Sequence, residues 1–247
     1  MNGTIILLTL RQVLGRRRSL LMVFGALVPV LIAVLFAVNA SGDDPTPEHF
    51  TATALLGTFV INAVLPIVAL VFGTSVLGGE IDEGTAVYLL SKPISRARIV
   101  LSKLVVACIA TIVVVVPSAA IAGLVALEGK DSDGIVPAFA VAMCFGALAY
   151  SCVFVLLSIV TSRALIAGLI YVFIWEGVVT NLFSGTRLLS IREFTLAIAD
   201  GLTRVRASDF EANLAPAQGL LLTAAVVIAA TVYAIRRLEV FEIGETT

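Results

Sequence analysis

The sequence predicts an all-α polytopic membrane protein with six transmembrane helices. Of the 247 residues, 60% are hydrophobic and only 13% are charged. A soluble domain carries about 25% charged residues and cannot hide so much apolar surface in one core. The apolar residues also fall in long unbroken runs rather than alternating with polar ones, which favours helices over a barrel. An N-terminal amphipathic helix, a short cytoplasmic helix between the second and third spans, and short outer helices before the last span complete the predicted architecture.

A spanning helix needs roughly 20 mostly apolar residues. Six runs reach that length: Leu20 to Asn39, Ala54 to Leu77, Leu104 to Leu127, Ile135 to Val160, Ala164 to Phe183 and Ala217 to Ile235. Pro29, Pro66 and Pro117 fall inside them. Each proline frees a backbone carbonyl and can kink its helix, which neighbouring helices in a membrane tolerate. The whole chain, 1–247, reads as a single transmembrane domain.

Orientation follows from the placement of Lys and Arg. With the N-terminus in the cytoplasm, the inner set is Arg11, Arg16, Arg17, Arg18, Lys92, Arg96, Arg98, Lys103, Arg163, Arg236 and Arg237. The outer set is the smaller one: Lys130, Arg187, Arg192, Arg204 and Arg206. Two outer loops are acidic, through Asp43, Asp44 and Glu48 in one and Glu128, Asp131 and Asp133 in the other. Both termini are therefore expected in the cytoplasm. No domain is strongly basic, so nucleic acid is not an expected partner.

Segment 1–18 places Ile6, Leu10, Val13 and Leu14 on one helical face and ends in Arg16–Arg18. It reads either as a surface helix meeting anionic headgroups or as a plain topogenic basic patch. Cys108, Cys144 and Cys152 each sit inside an apolar run, as small hydrophobes do. His49, the single histidine, lies in a polar loop.

The segment 80–95 is the most informative. Glu80, Asp82 and Glu83 suit the positive end of a helix, Pro93 ends it, and Ser95 is placed to cap the next span. Tyr88, Leu89 and Leu90 are apolar side chains that a plain cytoplasmic connector does not need, and together with charged neighbours they suggest a docking surface. In the outer loop 184–216, Ser190 and Glu193 have capping-box spacing, and Ile191, Phe194, Ile198, Leu202 and Val205 follow at helical intervals. That amphipathic helix either lids the outer end of the bundle or rests on the outer membrane surface.

Glu176 is the one acid within an expected span. An intramembrane carboxylate is costly and usually faces inward for a reason. Protonation, contact with a cationic substrate group and a hydrogen bond to another helix are its open roles, with a place at the outer interface beside Trp175 as the structural alternative. Asn62 and Asn181 are its candidate polar partners on the substrate pathway.

The run Glu80-x-x-Glu83-Gly84-Thr85, then Leu89-Leu90-Ser91-x-Pro93-x-Ser95-Arg96, then Ile99 and Lys103, resembles the signature of ABC type-2 transporter permeases. The resemblance extends to the layout of six spans, a leading amphipathic helix and an enlarged last outer loop. It implies that 80–95 is a coupling helix inserted into a nucleotide-binding ATPase subunit. Glu80, Asp82, Glu83, Gly84, Thr85, Tyr88, Leu89, Leu90, Pro93 and Arg96 would then be its contact residues. It further implies pairing with a second permease copy or a paralogue, export across a prokaryotic cell membrane, and short helices capping the outer end of the pathway.

No cofactor is expected in this chain; ATP and Mg would be bound by the partner subunit. The nearest phosphate-loop lookalike, Gly123 through Lys130 and Asp131, has the wrong spacing and an Asp where Ser or Thr should hold magnesium. One histidine supports no histidine-based metal cluster, and no nucleophile elbow is present. An ion-coupled secondary transporter centred on Glu176 and a non-transporting membrane anchor or assembly subunit are the alternatives. The first would be expected to carry an internal repeat, and none is visible.

Overall fold

The computed structural model describes residues 17–39, 46–82, 95–204, 210 and 212–239. The expected surface helix of 1–18, except its last two residues, lies outside them, as do residues 83–94. The described residues are helical, with no strand among them. Helix α1 is Arg17–Asn39. Helix α2 is a continuous rod of three pieces: Pro47–His49, a π-helical stretch Phe50–Val64, and the α-helical Leu65–Asp82. Helices α3 (Arg96–Ala126) and α4 (Ile135–Val160) follow. Helix α5 is again composite, Ala164–Ile170, π-helical Tyr171–Val179 and Thr180–Leu182. A 3-10 turn, Ser184–Leu189, leads to α6 (Ile191–Leu202), and α7 is Pro216–Glu239.

All six apolar runs thus coincide with helices. Four stretches are long and apolar enough to cross a membrane: 47–76, 96–126, 135–160 and 216–238. Shorter apolar helices cover 25–39 and 164–179. Helix α4 is the hub, packed against α2, α3, α6 and α7. Its Phe139, Met143, Tyr150 and Phe154 are wholly buried. Helix α7 covers only one side and leaves Leu221, Ile228 and Tyr233 exposed, as suits a lipid-facing surface.

Local chemistry explains the helix ends. Thr46 caps α2 by accepting the His49 amide, with Pro47 at the first helical position, where its missing N–H is harmless. Asp131 seats α4 by accepting the Ile135 amide at 2.8 Å and the Val136 amide at 3.0 Å, after Gly134 turns the chain at φ +68°. The π stretch of α2 stops just before Pro66, and its ladder reaches five residues back, as in Leu65 N–H to Val60 O. A proline ring crowds the carbonyl four residues behind it, and the wider π register leaves it room.

The two ends of the bundle differ in charge. Ile99 and Val100 of α3, Ile159 of α4, and Ala234 and Leu238 of α7 cluster together. Arg96, Arg98, Arg163, Arg236 and Arg237 therefore gather at one end, the basic end. The loop 127–134, with Glu128, Asp131 and Asp133, marks the opposite, acidic end.

Candidate functional site

Helix α6 does not lie across an end of the bundle. It runs beside α4, buried on most sides. The Arg204 amide donates to Asp133 O at 2.9 Å, so the C-terminal end of α6 is at the acidic end. Halfway along α6, Thr195 meets Gly146, where an added methyl would stand 2.6 Å from the Thr195 hydroxyl and 2.9 Å from Leu65 Cδ2. At about 1.5 Å per residue, Gly146 lies about 16 Å into α4 from Ile135. The start of α6 is deeper still, level with the middle of α4. The helix therefore occupies the half of the bundle nearer the acidic end. A cleft of about 350 Å³ remains beside its outer turn, lined by Asp131, Asp133, Pro137, Val141, Leu202 and Arg204 among others.

Amphipathicity accounts for this seat. Ile191, Phe194 and Ile198 are buried as their spacing predicts, while Leu202 is half exposed and Val205 lies outside the described residues. Thr195 and Glu193 are buried as well, and each is satisfied. Thr195 Oγ1 donates to Ile191 O at 2.9 Å. The capping box forms only by half. Ser190 Oγ accepts the Glu193 amide at 3.3 Å, but the Ser190 amide is spent on Arg187 O of the 3-10 turn. The Glu193 carboxylate turns instead to Asn213 Nδ2, at 2.8 Å, and pairs with Arg192 at 3.7 Å. Arg187 donates in turn to Asn213 Oδ1 at 2.8 Å.

At the foot of α6 stands Glu176, fully buried. Its Oε1 accepts from the Tyr171 hydroxyl and from the Ile191 amide, each at 3.0 Å, and its Oε2 accepts from the Ser190 hydroxyl. The carboxylate is the acceptor in each of these bonds. It therefore caps the first amide of α6 from a different helix, where the helix dipole favours negative charge. The π register of α5 makes this possible. In an α-helix, residues five apart are about 140° apart around the axis; an i to i+5 ladder brings Tyr171 and Glu176 to one face. The buried Tyr150 hydroxyl of α4 lies against the same carboxylate. Trp175, beside Glu176, donates from Nε1 to Leu189 O at 3.3 Å.

The other expected site residues are dispersed. Asn62 lies half-buried in the π stretch of α2, and no hydrogen bond joins it to Glu176. Asn181 is in the last turn of α5. Glu80 and Asp82 close the α-helical part of α2 rather than opening a short helix of their own, because that helix continues past Leu77. Glu83, Gly84, Thr85, Tyr88, Leu89, Leu90 and Pro93 lie outside the described residues. Ser95 is at the N-cap of α3 without a side-chain bond, and Arg96 opens the helix with its buried Nη1 unbonded among the described residues. The segment 80–95 thus joins the basic ends of α2 and α3.

Tyr171, Ser190 and Tyr150 are the residues that sequence reasoning missed as partners of Glu176. The five-residue step from Tyr171 was the available signal, hidden by the assumption of α geometry. Among the described residues, no group of three His, Cys, Asp or Glu side chains is placed to hold a metal ion.

No curated protein matches the chain. A family model described as ABC-2 family transporter protein matches residues 14–185, from the start of α1 through α5. Members of that family lack a nucleotide-binding domain. With its long apolar helices and this match, the chain is a multi-pass membrane protein and belongs to the ABC-2 family of transporter proteins.

Proposed function

We propose that the chain is the membrane-spanning subunit of an ATP-driven exporter, powered by a separate nucleotide-binding subunit. The family membership carries this reading. Six helices, α1 to α5 and α7, cross the bilayer, and α6 fills the outer half of the bundle as a lid seated from within. The basic end is cytoplasmic, by the excess of Lys and Arg on inner loops, so both termini are inside the cell.

The segment 80–95 docks into the ATPase at that end, with Tyr88, Leu89 and Leu90 as apolar anchors and Glu80, Asp82, Glu83 and Arg96 as the charged rim. Two such membrane subunits, identical or paralogous, pair around the export path. ATP and Mg bind the partner, and closure of the ATPases pushes through 80–95 onto α2 and α3, the two rods it joins.

A gentle-detergent pull-down of the tagged chain from its native membrane, followed by mass spectrometry, tests the reading. A soluble ATPase is expected near stoichiometric amounts, and Leu90→Asp or Tyr88→Asp should remove it without affecting membrane insertion. Recovery of the chain alone across several mild detergents would count against an ATPase partner. Transport that persists without ATP and is abolished by Glu176→Gln would point to the ion-coupled alternative.

A further inference from the structure

We propose that the cleft beside the outer turn of α6 binds the headgroup of a phospholipid that carries a primary amine, with its acyl chains lying along the exposed face of α4. The cleft stands where α4 begins and α6 ends, at the acidic end of the bundle. Its volume of about 350 Å³ is at the small end of the roughly 300–1,000 Å³ of ligand sites, the size of a headgroup rather than of a whole lipid. Charges of both signs line it: the guanidinium of Arg204 and the carboxylates of Asp131 and Asp133. Arg204 and Asp133 meet through the backbone, amide to carbonyl at 2.9 Å, while no side-chain ion pair joins them among the described residues. The Asp131 carboxylate is fixed in direction by the Ile135 and Val136 amides, and each of its oxygens keeps a further lone pair.

Below the charges the surface is apolar. Pro137, Val141 and Phe145 follow one another at four-residue steps, which puts them on one face of α4, and all three are exposed. The stripe leads from the cleft into the apolar length of the span, with Leu202 of α6 exposed beside its upper end. An amphiphile with its polar part in the cleft and its chains on the stripe satisfies both. The charges select among headgroups. A guanidinium takes a phosphate through two parallel bonds, and a primary ammonium offers three donors to carboxylates. An anionic headgroup without an amine would set its phosphate against two carboxylates, and a cationic one without a phosphate would face Arg204; like charges so placed are unfavourable. A choline group has no N–H to give. The site does not depend on the exporter reading; only the naming of its leaflet as the outer one rests on the orientation proposed above.

Native mass spectrometry of the full-length chain tests it, from mixed micelles holding equal amounts of phosphatidylethanolamine, phosphatidylcholine and phosphatidylglycerol with matched acyl chains. The wild type is expected to retain phosphatidylethanolamine over the other two by roughly tenfold, the worth of one charge-assisted hydrogen bond. Arg204→Gln and Asp133→Asn should each reduce it to the level of phosphatidylcholine, and Asp133→Asn should also raise phosphatidylglycerol. Arg204→Lys, which keeps the charge, should keep the preference for the amine lipid. Glycerophosphoethanolamine, the same headgroup without acyl chains, should not displace the lipid at equal concentration. Equal retention of the three lipids by the wild type would overturn the site and leave this face to bulk lipid or to a second copy of the chain. A wild-type preference in either Arg204→Gln or Asp133→Asn, or its loss in Arg204→Lys, would also overturn it. Displacement by glycerophosphoethanolamine as strong as by the lipid itself would replace the lipid with a soluble occupant and overturn the role of the stripe.

Discussion

Gly146 and Thr195 set the distance between α4 and α6: a methyl group on Gly146 would approach the Thr195 hydroxyl to 2.6 Å. The absent side chain lets a helix carrying Glu193 and Thr195 lie against the hub of the bundle. Gly146→Val is therefore expected to push α6 outward. Overpacking of this kind typically destabilises by about 1–3 kcal/mol. Thermal unfolding in detergent would register it as a lower midpoint, and an unchanged midpoint would mean that α6 is not held where its contacts place it.

Asn213 joins the segment before α7 to the first turn of α6 through Glu193 and is itself held by Arg187. Glu193→Ala leaves the Asn213 amide and Arg192 without their acceptor. A loss on the order of 1–3 kcal/mol is expected for a buried partner so removed. Because the two side chains share one bond, a double-mutant cycle with Asn213→Ala should show coupling on the order of 0.5–3 kcal/mol. Simple additivity would dissolve the network.

Asp131 receives the first two amides of α4 at 2.8 and 3.0 Å. Asp131→Ala should cost about 1 kcal/mol, as the loss of an N-terminal cap usually does, and Asp131→Asn less. Since α4 is the hub, the effect should appear in the global unfolding midpoint and not only as fraying beside the loop. A midpoint unchanged by Asp131→Ala would deny the cap its role.

The coupling between Trp175 and Leu189 O, at 3.3 Å, ties the 3-10 turn to α5. Trp175→Phe keeps the apolar bulk and removes the donor. A loss of about 1 kcal/mol is expected, read as a lower thermal unfolding midpoint in detergent. An unchanged midpoint would show that the turn is held by other contacts.

Much of this architecture was legible as text. The six apolar runs became helices because nothing but a helix satisfies the backbone within so apolar a stretch. The Ser190 and Ile191 boundary was visible because a hydroxyl before an apolar periodicity has one good use. The depth of α6 was not legible. Its amphipathic face fits a membrane surface as well as a bundle interior, and only Gly146 and Gly219, small residues on other helices, decide between them. At Gly219 an added methyl would stand 2.9 Å from both Ala197 Cβ and Phe194 O. The Glu176 cluster stayed hidden for a related reason. Its partners Ser190 and Ile191 come after a chain reversal, and Tyr171 reaches it only in a π register that Pro66-like punctuation does not announce in α5. Ser190 caps the Glu193 amide as its spacing predicts, and the reciprocal half of the capping box is missing because the Ser190 amide is bonded to Arg187 O.

The seat of α6 has a consequence for how the protein is made. Three of its walls, Gly57, Gly146 and Glu176, are synthesised before it, but Gly219 belongs to α7 and leaves the ribosome afterwards. Until α7 has formed, α6 lacks the wall that Gly219 supplies against Ala197 and Phe194. A chain cut before Pro216 is therefore expected to hold α6, and with it the bonds from Ser190 and the Ile191 amide to Glu176, less firmly.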